Sequence, residues 1–443
     1  MRVAVVGAGV GGLAAAIELA RAGHAVTVFE ANAAPGGKCA RVTRGPYTWD
    51  AGPSLLTMPW VFADLDLDLQ RVEPVTRYSF ADGTSVELSA DLPRAIAALE
   101  AWSSGTGAQW TRFLGTCAAM WSASERFLTG PPPFPPRRGG DPRDALRVKP
   151  WWTLRQLARA HTHDPRLRMV IERFATYAGA DPRRAPAALA VAGYVEHAFG
   201  AWYPSGGIYE LVLAMKRRLG ALGAELRLAT PVERIWTSRG RARGVVTAGG
   251  AHASDAVITD IDHANVLRLL GRRPRAREHS LSGLALLLGL RGRTADLPHH
   301  RIDFPADYDA EFDDLFVHRR PVRDPTIYVS APPADDEAWF VLVNAPAARA
   351  EWDVEPLIDR LGVRDRIVER VVRTPQDLER ETGAAGGAIY GAAPHGRLGA
   401  LKRPGQRVRG LRGLWLAGGT VHPGGGLPLV ALGGRTAARE AMR

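Results

Sequence analysis

The first thirty residues hold the feature that most constrains the fold. The apolar run RVAVV at 2–6 is typical of a buried parallel strand, and GAGVGG follows it with Gly7, Gly9 and Gly12 in GxGxxG spacing. A helical stretch comes next, and then a second apolar run, HAVTVFE, which ends on Glu30. Strand, glycine loop, helix, strand and acid in this register predict a Rossmann-like dinucleotide-binding unit.

Each part of this unit has a physical role. Gly7 permits the tight turn, Gly9 lets the backbone approach a pyrophosphate, and Gly12 lets the helix pack closely on the sheet. The start of the helix, at Val10 and Gly11, offers N–H donors and a partial positive charge to phosphates. The acid after the second strand is expected to accept hydrogen bonds from ribose hydroxyls. A plain strand-helix-strand unit without a ligand is the alternative.

The composition is that of a globular protein with a large core, since 46% of the 443 residues are apolar. The net charge of +11 comes from scattered arginines rather than a basic stripe, so nucleic acid is not an expected partner. Cys39 and Cys117 lie in no metal-binding spacing, so no metal site is predicted and a reducing cytoplasm is the expected compartment. The chain starts on a strand pattern, which gives no indication of a signal peptide.

A second glycine-rich segment, GTVHPGGGLPLVALGG, lies at 419–434. Pro428 suits the first turn of a helix that begins near Leu427. Such a helix start can direct unpaired N–H groups at a bound ring, and glycines without Cβ atoms let the backbone lie against it. The alternative is a turn needed only to reverse the chain.

Three segments closely resemble the phytoene desaturase family of FAD-dependent carotenoid desaturases: GAGVGGLAAAIELARAGHAVTVFEANAAPGGK, DAGPSLLTMP and GLWLAGGTVHPGGGLPLVALGGRTAA. HPGGGLPL and the segment from GGAIYG to RLGALKRP look most like the hydroxyneurosporene 3,4-desaturase branch, whereas HPGAGIPG is commoner in phytoene desaturases proper. The cofactor that this resemblance implies is FAD.

The resemblance also implies which residues bind FAD. The residues expected to bind the ADP half are Gly7, Gly9, Val10, Gly11, Gly12 and Glu30. The backbone of Val232 is expected to contact the adenine. The loops past the pyrophosphate and the flavin contain Gly37, Lys38, Gly52, Pro53, Ser54, Leu55 and Leu56. The C-terminal set beside the flavin ring contains Gly418, Gly419, Gly425, Gly426, Leu427 and Pro428.

His422 is the candidate catalytic residue, because it stands just before the C-terminal glycines and could accept a proton near the flavin. Its alternative role is a hydrogen bond to backbone, with water or a carboxylate accepting the proton instead. Asp50, two residues before Gly-Pro, is expected to shape a turn through bonds to backbone N–H groups.

The implied fold class is α/β with the GR2 or amine-oxidase-like topology. A Rossmann-like FAD-binding domain, discontinuous in sequence, is expected at 1–70, 201–270 and 376–443. An α+β substrate-binding domain with membrane-facing helices is expected at 71–200 and 271–375.

Local patterns add four expectations within these domains. SFADGTSVEL at 79–88 predicts a hairpin, and SGLALLLGLRG predicts a buried strand. The proline-rich 131–142 predicts an exposed loop, and the strand that ends near Asp260 should rejoin the first sheet.

One stretch suggests contact with a membrane surface. LRVKPWWTLRQLARAH interleaves the apolar Trp151, Trp152, Leu154 and Leu157 with the cationic Arg147, Lys149, Arg155 and Arg159. A membrane-surface segment would show this pattern, because its aromatic rings lie at the depth of the lipid headgroups and its cations contact anionic lipid. An amphipathic helix packed on its own domain would produce it equally well.

The resemblance implies desaturation of a lipophilic acyclic carotenoid, with hydride passing to flavin N5, loss of a proton and a new conjugated double bond. A 1-hydroxycarotenoid desaturated at C3–C4 is the first choice of substrate, and phytoene the second. A cytoplasmic, peripherally membrane-associated enzyme is expected. The sequence does not identify its electron acceptor, for which oxygen and a quinone are the two candidates. Alternatives that share the fold are a carotenoid isomerase or saturase, a flavin amine oxidase and a non-enzymatic prenyl-binding protein.

Overall fold

A computed structural model describes residues 1–130, 142–396, 399 and 403–443, without the side chains of 142, 143 and 145. The proline-rich loop predicted at 131–142 lies outside the described residues, except for its last position. The strands are β1 (Arg2–Val6), β2 (Ala25–Phe29), β3 (Arg41–Arg44), β4 (Tyr47–Asp50), β5 (Leu69–Arg71), β6 (Thr76–Ser79), β7 (Ser85–Leu88), β8 (Trp202–Pro204), β9 (Glu225–Arg227), β10 (Val232–Ser238), β11 (Arg241–Thr247), β12 (Gly250–Ala253), β13 (Ala256–Thr259), β14 (Ser282–Leu290), β15 (His300–Asp303), β16 (Ile327–Ser330), β17 (Glu337–Ala345), β18 (Ile367–Arg373) and β19 (Leu414–Leu416).

The α-helices are α1 (Val10–Arg21), α2 (Leu92–Trp102), α3 (Thr106–Leu128), α4 (Pro142–Arg147), α5 (Leu154–His161), α6 (Pro165–Arg173), α7 (Val191–Phe199), α8 (Tyr209–Ala221), α9 (His263–Leu269), α10 (Tyr308–Phe312), α11 (Glu355–Leu361), α12 (Pro375–Thr382) and α13 (Leu427–Ala441). Short 3-10 segments lie at Pro59–Phe62, Thr176–Ala178, Ala187–Ala190, Arg364–Arg366 and Ala385–Gly387, and a π-helical turn at Asp313–His318. No helix within the described residues has both the length and the apolar content required to span a bilayer.

A parallel sheet in the order β19-β13-β1-β2-β9 forms the base of the molecule. The prediction that the strand ending near Asp260 rejoins the first sheet is confirmed, because β13 pairs in parallel with β1. Helices α1 and α13 pack against each other beside this sheet. They approach so closely that a Cβ atom on Gly434 would collide with the carbonyl oxygen of Gly11.

A second sheet runs in the order β18-β14-β17-β16-β15-β6-β7. Strand β14 lies inside it and is buried at every position, which confirms the buried strand predicted for SGLALLLGLRG. The hairpin predicted around Asp82 is formed by β6 and β7, with Asp82 Oδ1 accepting from the backbone N–H of Thr84 at 3.0 Å.

A helical layer formed by α2 to α7 packs around a core of large rings and aliphatic side chains. Trp110, Phe113 and Phe174 are almost fully buried within it. Helices α2 and α6 begin at Asp91 and Asp164, whose carboxylates accept backbone N–H groups of the first turn.

The α/β fold class is confirmed. The strands of the parallel sheet come from the beginning, middle and end of the chain, whereas the second sheet is built from the stretches between them. The domain boundaries and the membrane-facing helices stay predictions.

Candidate cofactor and substrate site

A cavity of about 1330 Å³ lies between the parallel sheet, the second sheet and the helical layer. Most of the predicted site residues line it: Gly9, Val10, Gly37, Lys38, Gly52, Pro53, Ser54, Leu55, Gly418, Gly419, His422, Gly425, Gly426, Leu427 and Pro428. The structure therefore brings together the two glycine-rich segments from opposite ends of the sequence.

Six predicted residues do not line the cavity: Gly7, Gly11, Gly12, Glu30, Leu56 and Val232. The glycines lie beneath the lining and serve packing, since a Cβ atom on Gly12 would collide with the carbonyl oxygen of Gly7. Leu56 is fully buried, and its backbone pairs with that of Trp202 through two bonds of 2.8 Å. Val232 begins β10, outside both main sheets.

Glu30 is buried and supports the glycine loop from below. Its Oε2 accepts from the backbone N–H of Ala8 at 2.7 Å, and its Oε1 accepts from the backbone N–H of Asn32 at 2.9 Å. The first bond fixes the turn between β1 and α1, and the second fixes the loop that follows β2. The ribose contact predicted for Glu30 stays a prediction.

Asp260, directly after β13, closes the N-terminal glycine loop and was missed by sequence reasoning. Its Oδ2 accepts from the backbone N–H of Gly12 at 2.7 Å, and a Cβ atom on Gly9 would lie 2.5 Å from the same oxygen. Burial, reinforced by the charge of Glu30, raises the pKa of Asp260 to about 7 against the bonds from the loop and the charge of Lys38. Its place at the carboxyl edge of a parallel sheet was the available signal.

Lys38 is a half-buried cation at the cavity wall. Its Nζ donates to the carbonyl oxygens of Ala388, at 3.1 Å, and Ile389. Burial lowers its pKa to about 8, although Asp262 and Asp260 oppose that shift. A cation held there is suited to an anionic group bound in the cavity.

The C-terminal glycines line the cavity as bare backbone, with Tyr390 behind them. A Cβ atom on Gly425 would collide with the ring of Tyr390. Arg403 holds the turn, because its Nη1 donates to the carbonyl oxygens of Tyr390 at 3.1 Å and Gly419 at 3.0 Å. Burial lowers the pKa of Arg403 to about 10. Sequence reasoning gave neither Tyr390 nor Arg403 a role, although both lie in the segment from GGAIYG to RLGALKRP that carried part of the resemblance.

Helix α13 begins at this turn and directs its N-terminus at the cavity. Leu427 and Pro428 form its first turn, as predicted, and both line the cavity with Leu429. The first N–H groups of a helix have no partner within the helix, and they carry its partial positive charge.

His422 is almost fully buried and lines the cavity. Its Nε2 lies 2.7 Å from the carbonyl oxygen of Phe127 and 3.3 Å from that of Gly130. Two carbonyl acceptors require the proton on Nε2, so only Nδ1 can accept a proton from a substrate. Burial lowers the pKa of His422, which keeps the ring neutral near pH 7.

Asp50 accepts bonds from backbone N–H groups as predicted, but these belong to residues far away in sequence and not to a turn beside Asp50. One carboxylate oxygen accepts from the backbone N–H of Ile208 at 2.8 Å and from the Tyr203 hydroxyl at 2.7 Å. The other accepts from the backbone N–H of Tyr209 at 3.1 Å. Asp50 therefore anchors the start of α8.

The walls beyond the glycines are apolar and come from the helical layer and the second sheet: Phe174, Leu189, Val195, Ile302, Phe340 and Leu342. The volume exceeds the roughly 300–1,000 Å³ of ordinary ligand pockets, which leaves space for more than one ligand.

The residues at the glycine end fit FAD. Gly9 and Gly425 present bare backbone to the cavity, two helix N-termini meet there, and Lys38 supplies a cation. These features define a flavin-dependent oxidoreductase.

A family model described as flavin containing amine oxidoreductase matches residues 10–275, and the chain belongs to this family. The hydroxyneurosporene desaturase of Cereibacter sphaeroides is 34% identical over 100% of this chain and 97% of its own length. The 4,4'-diapolycopene oxygenase of a Methylomonas species is 33% identical over 98% of this chain and 96% of its own.

A triple mutant of putrescine oxidase, redesigned in cofactor binding, shares the fold with a TM-score of 0.66 at 17% identity, over 100% of this chain and 98% of its own. The comparisons confirm the predicted resemblance to carotenoid desaturases. They also confirm FAD as the cofactor and FAD-dependent oxidoreductase as the enzyme class.

Proposed function

We propose that this protein is an FAD-dependent desaturase of an acyclic carotenoid, and that its substrate is a 1-hydroxycarotenoid desaturated at C3–C4. The observation that carries the proposal is one large apolar cavity with both glycine segments at one end. The name of the Cereibacter sphaeroides relative supports this choice of substrate. Phytoene is the second candidate.

The cofactor-binding role of the predicted residues is supported by their positions. The start of α1 at Val10 would hold the pyrophosphate, and the N–H groups at Leu427 and Leu429 would face the flavin ring. Bound FAD supplies the hydride acceptor. Apolar side chains around the substrate exclude water from the reacting carbons.

We assign the proton acceptor to His422, acting through Nδ1. Its supporting features are its place in the cavity wall and the proton held on Nε2 by the carbonyl oxygen of Phe127. A neutral imidazole near pH 7 is the form that can accept a proton.

The predicted domains remain our proposed division of labour, with 1–70, 201–270 and 376–443 holding FAD and 71–200 and 271–375 holding the carotenoid. Its support is that the strands of the parallel sheet fall in the first set and those of the second sheet in the second.

A peripheral membrane contact near the cavity is part of the proposal, since a carotenoid has to arrive from lipid. Leu146 and Trp151 are 58% and 49% exposed, and their neighbours Val148 and Pro150 line the cavity. Lys149 Nζ lies 4.8 Å from the centre of the Trp152 ring. Exposed apolar groups with adjacent cations are typical of interfacial binding. The cytoplasmic side of the membrane is the proposed location.

Vesicle flotation tests this contact. The double variant Leu146→Glu, Trp151→Glu should lose binding to vesicles that contain anionic lipid. Trp236→Glu is the matched control, because Trp236 is 39% exposed on β10, away from the cavity. Equal binding by both variants would remove the membrane contact from the proposal.

Expression in cells that accumulate defined acyclic carotenoids tests the reaction. The expected product from a 1-hydroxycarotenoid has two hydrogen atoms fewer and absorbs at longer wavelength. Added oxygen in the product would indicate an oxygenase, and conversion of phytoene alone would select the second candidate. The proposed function is wrong if neither class of substrate changes in cells that contain the flavin-loaded protein.

A further inference from the structure

Arg173, at the end of α6, is a half-buried cation with no role in the proposed chemistry. It is partly exposed to the cavity that it lines, while its Nη1 atom is buried and has no hydrogen-bond partner among the described residues. Nor does any carboxylate in the described ranges lie within salt-bridge distance of it. An unpaired buried guanidinium costs free energy unless a bound group completes its hydrogen bonds.

Aromatic rings hold Arg173 in place instead of acids. Its guanidinium carbon lies 5.1 Å from the centre of the Tyr177 ring and 5.7 Å from that of Tyr328. Cation-π contacts stabilise the charge but leave its N–H groups free to donate in the plane of the guanidinium. Arg173 therefore borders the cavity with a guanidinium that no carboxylate in the described ranges pairs with.

Arg173, Tyr177 and Tyr328 form a cluster that also contains a carboxyl group, that of Glu196. Glu196 lines the cavity and shares a hydrogen bond with Tyr177. Burial raises the pKa of Glu196 to about 7, so near neutral pH it is only partly ionised. The cluster thus combines strong donors with groups that can also accept, which a hydroxyl group requires.

The cluster lies beside the predicted position of the flavin. The hydroxyl of Tyr328 is hydrogen-bonded to Ser54 Oγ, in a loop predicted to pass the flavin, and to His300 Nδ1 at 2.9 Å. The charge of Arg173 also reaches Tyr390, behind the C-terminal glycines.

A cation there is poorly placed to help hydride loss, because positive charge develops on the substrate carbons at that step. It is well placed to bind an oxygen atom close to those carbons. In a 1-hydroxycarotenoid, the oxygen is carried two carbons away from the C3–C4 bond.

We propose that Arg173, supported by Tyr177 and Glu196, forms a subsite that binds the hydroxyl at the end of an acyclic carotenoid. This inference rests on the proposed function. It makes Arg173 a specificity-determining residue, which selects a substrate with an oxygen on its terminal carbon over the corresponding hydrocarbon.

The test compares two carotenoids of equal length, one with a C1 hydroxyl and one without, on the FAD-loaded protein. Arg173→Met removes the charge and keeps the length of the side chain. Arg168→Met is the matched control, because Arg168 lies on the same helix outside the cavity, with its Nε bonded to the carbonyl oxygen of Thr162 at 3.0 Å.

Arg173→Met should raise KM for the hydroxylated carotenoid by about 10- to 100-fold, the range of a lost charge-assisted hydrogen bond. KM for the hydrocarbon should change less than about threefold. The Kd of the already desaturated hydroxylated product, from quenching of tryptophan fluorescence, should rise by the same factor without turnover. Arg168→Met should leave KM for both carotenoids and the Kd of the product unchanged.

Equal losses for the two carotenoids would overturn the subsite, and so would no loss for either. If Arg173→Met does not fold, Tyr177→Phe and Glu196→Gln replace it. They should each weaken the hydroxylated ligand alone, by about threefold to tenfold.

The outcomes separate this subsite from the proposed function. A wild-type protein that binds the hydroxylated product selectively but converts neither carotenoid would overturn the desaturase and keep the subsite. A wild-type protein that desaturates both carotenoids without discrimination would overturn the subsite and keep the desaturase.

Discussion

The two glycine segments of the cavity require glycine for different structural reasons. In the N-terminal loop, glycines are required by protein atoms, since side chains at Gly9 and Gly12 would strike Asp260 or the backbone of Gly7. In the C-terminal turn, Gly425 packs on the ring of Tyr390, whereas a Cβ atom on Gly426 would meet nothing within 4 Å among the described residues. The glycines of the N-terminal loop allow close packing, which places the start of α1 at the cavity. Those of the C-terminal turn form a backbone surface open to the cavity.

This difference teaches that a glycine motif does not itself tell which glycines face the ligand. Gly9 lines the cavity, but Gly7, Gly11 and Gly12 lie beneath its surface. Substitutions in the two segments should therefore fail in different ways, by loss of folding in one and by loss of cofactor or rate in the other.

The largest effect is expected for Gly12→Val. Its side chain would collide with the carbonyl oxygen of Gly7, so α1 would have to move off the sheet at a cost of about 3 kcal/mol or more. Thermal unfolding and the yield of folded protein measure this. Gly220→Ala is the control, because Gly220 is exposed within α8 and no other described part of the chain lies within 4 Å of its Cβ position. This variant should gain about 0.5–1 kcal/mol of stability. A stable, FAD-loaded Gly12→Val protein would contradict the packing role.

His422→Gln should come next, with kcat lower by about 100-fold and normal FAD content. The glutamine amide can still donate to the carbonyl oxygen of Phe127 but cannot accept a proton as imidazole does. Because burial lowers the pKa of His422, the wild-type rate should fall only as the pH drops below about 6.5, and this fall should vanish in the variant. A loss of less than threefold would leave His422 as a backbone tie alone.

Gly425→Val should weaken FAD binding by about tenfold or more while the FAD-free protein keeps its melting temperature within a few degrees. The valine would displace the ring of Tyr390 and cover the backbone that faces the cavity. Flavin absorbance per protein and the melting curve of the FAD-free form measure the two effects. Normal retention and reduction of FAD would mean that the triple glycine is only a turn.

Asp260→Asn should give the smallest effect, and of opposite sign. Because its pKa is raised to about 7, the FAD-free folded protein holds a proton that the unfolded chain releases from about pH 4 upwards. The stability from this group is full below about pH 4 and lost as the pH rises through about 7. The variant should therefore melt a few degrees higher than wild type at pH 8 and bind FAD more tightly there.

Asp262→Asn is the control for Asp260→Asn, since Asp262 caps α9 by accepting from the backbone N–H of Ala264 at 2.8 Å. Asparagine caps a helix equally well, so this variant should show no gain at pH 8. Equal melting curves for wild type and Asp260→Asn from pH 5 to pH 8 would contradict the burial of a strained carboxyl at the loop.

The fold could be predicted where local patterns and motif agree. Hydrophobic periodicity and the glycine spacing predict β1, the glycine loop and α1. Turn residues predict the hairpin of β6 and β7, and a proline in the first turn predicts the start of α13 at Leu427. The β3-β4 hairpin was not predicted within the glycine- and proline-rich stretch after Lys38, because its short strands carry little pattern.

The partners of the motifs could not be predicted, because they come from distant parts of the chain. Asp260 meets the glycine loop 248 residues from Gly12. Tyr390 and Arg403 support the C-terminal turn from the segment between GGAIYG and RLGALKRP, which indicated a branch of the family but no site role. Arg173 is one of many arginines in the sequence, and only the burial of its Nη1 atom without a partner distinguishes it.

Anaerobic mixing of the FAD-loaded protein with substrate tests the central claim most directly. A 1-hydroxylated acyclic carotenoid should bleach the flavin absorbance and yield, in equal amount, a carotenoid with a longer conjugated system. Primary amines should leave the flavin oxidised. Bleaching by an amine but by no carotenoid would contradict the account and assign the cavity to amine oxidation.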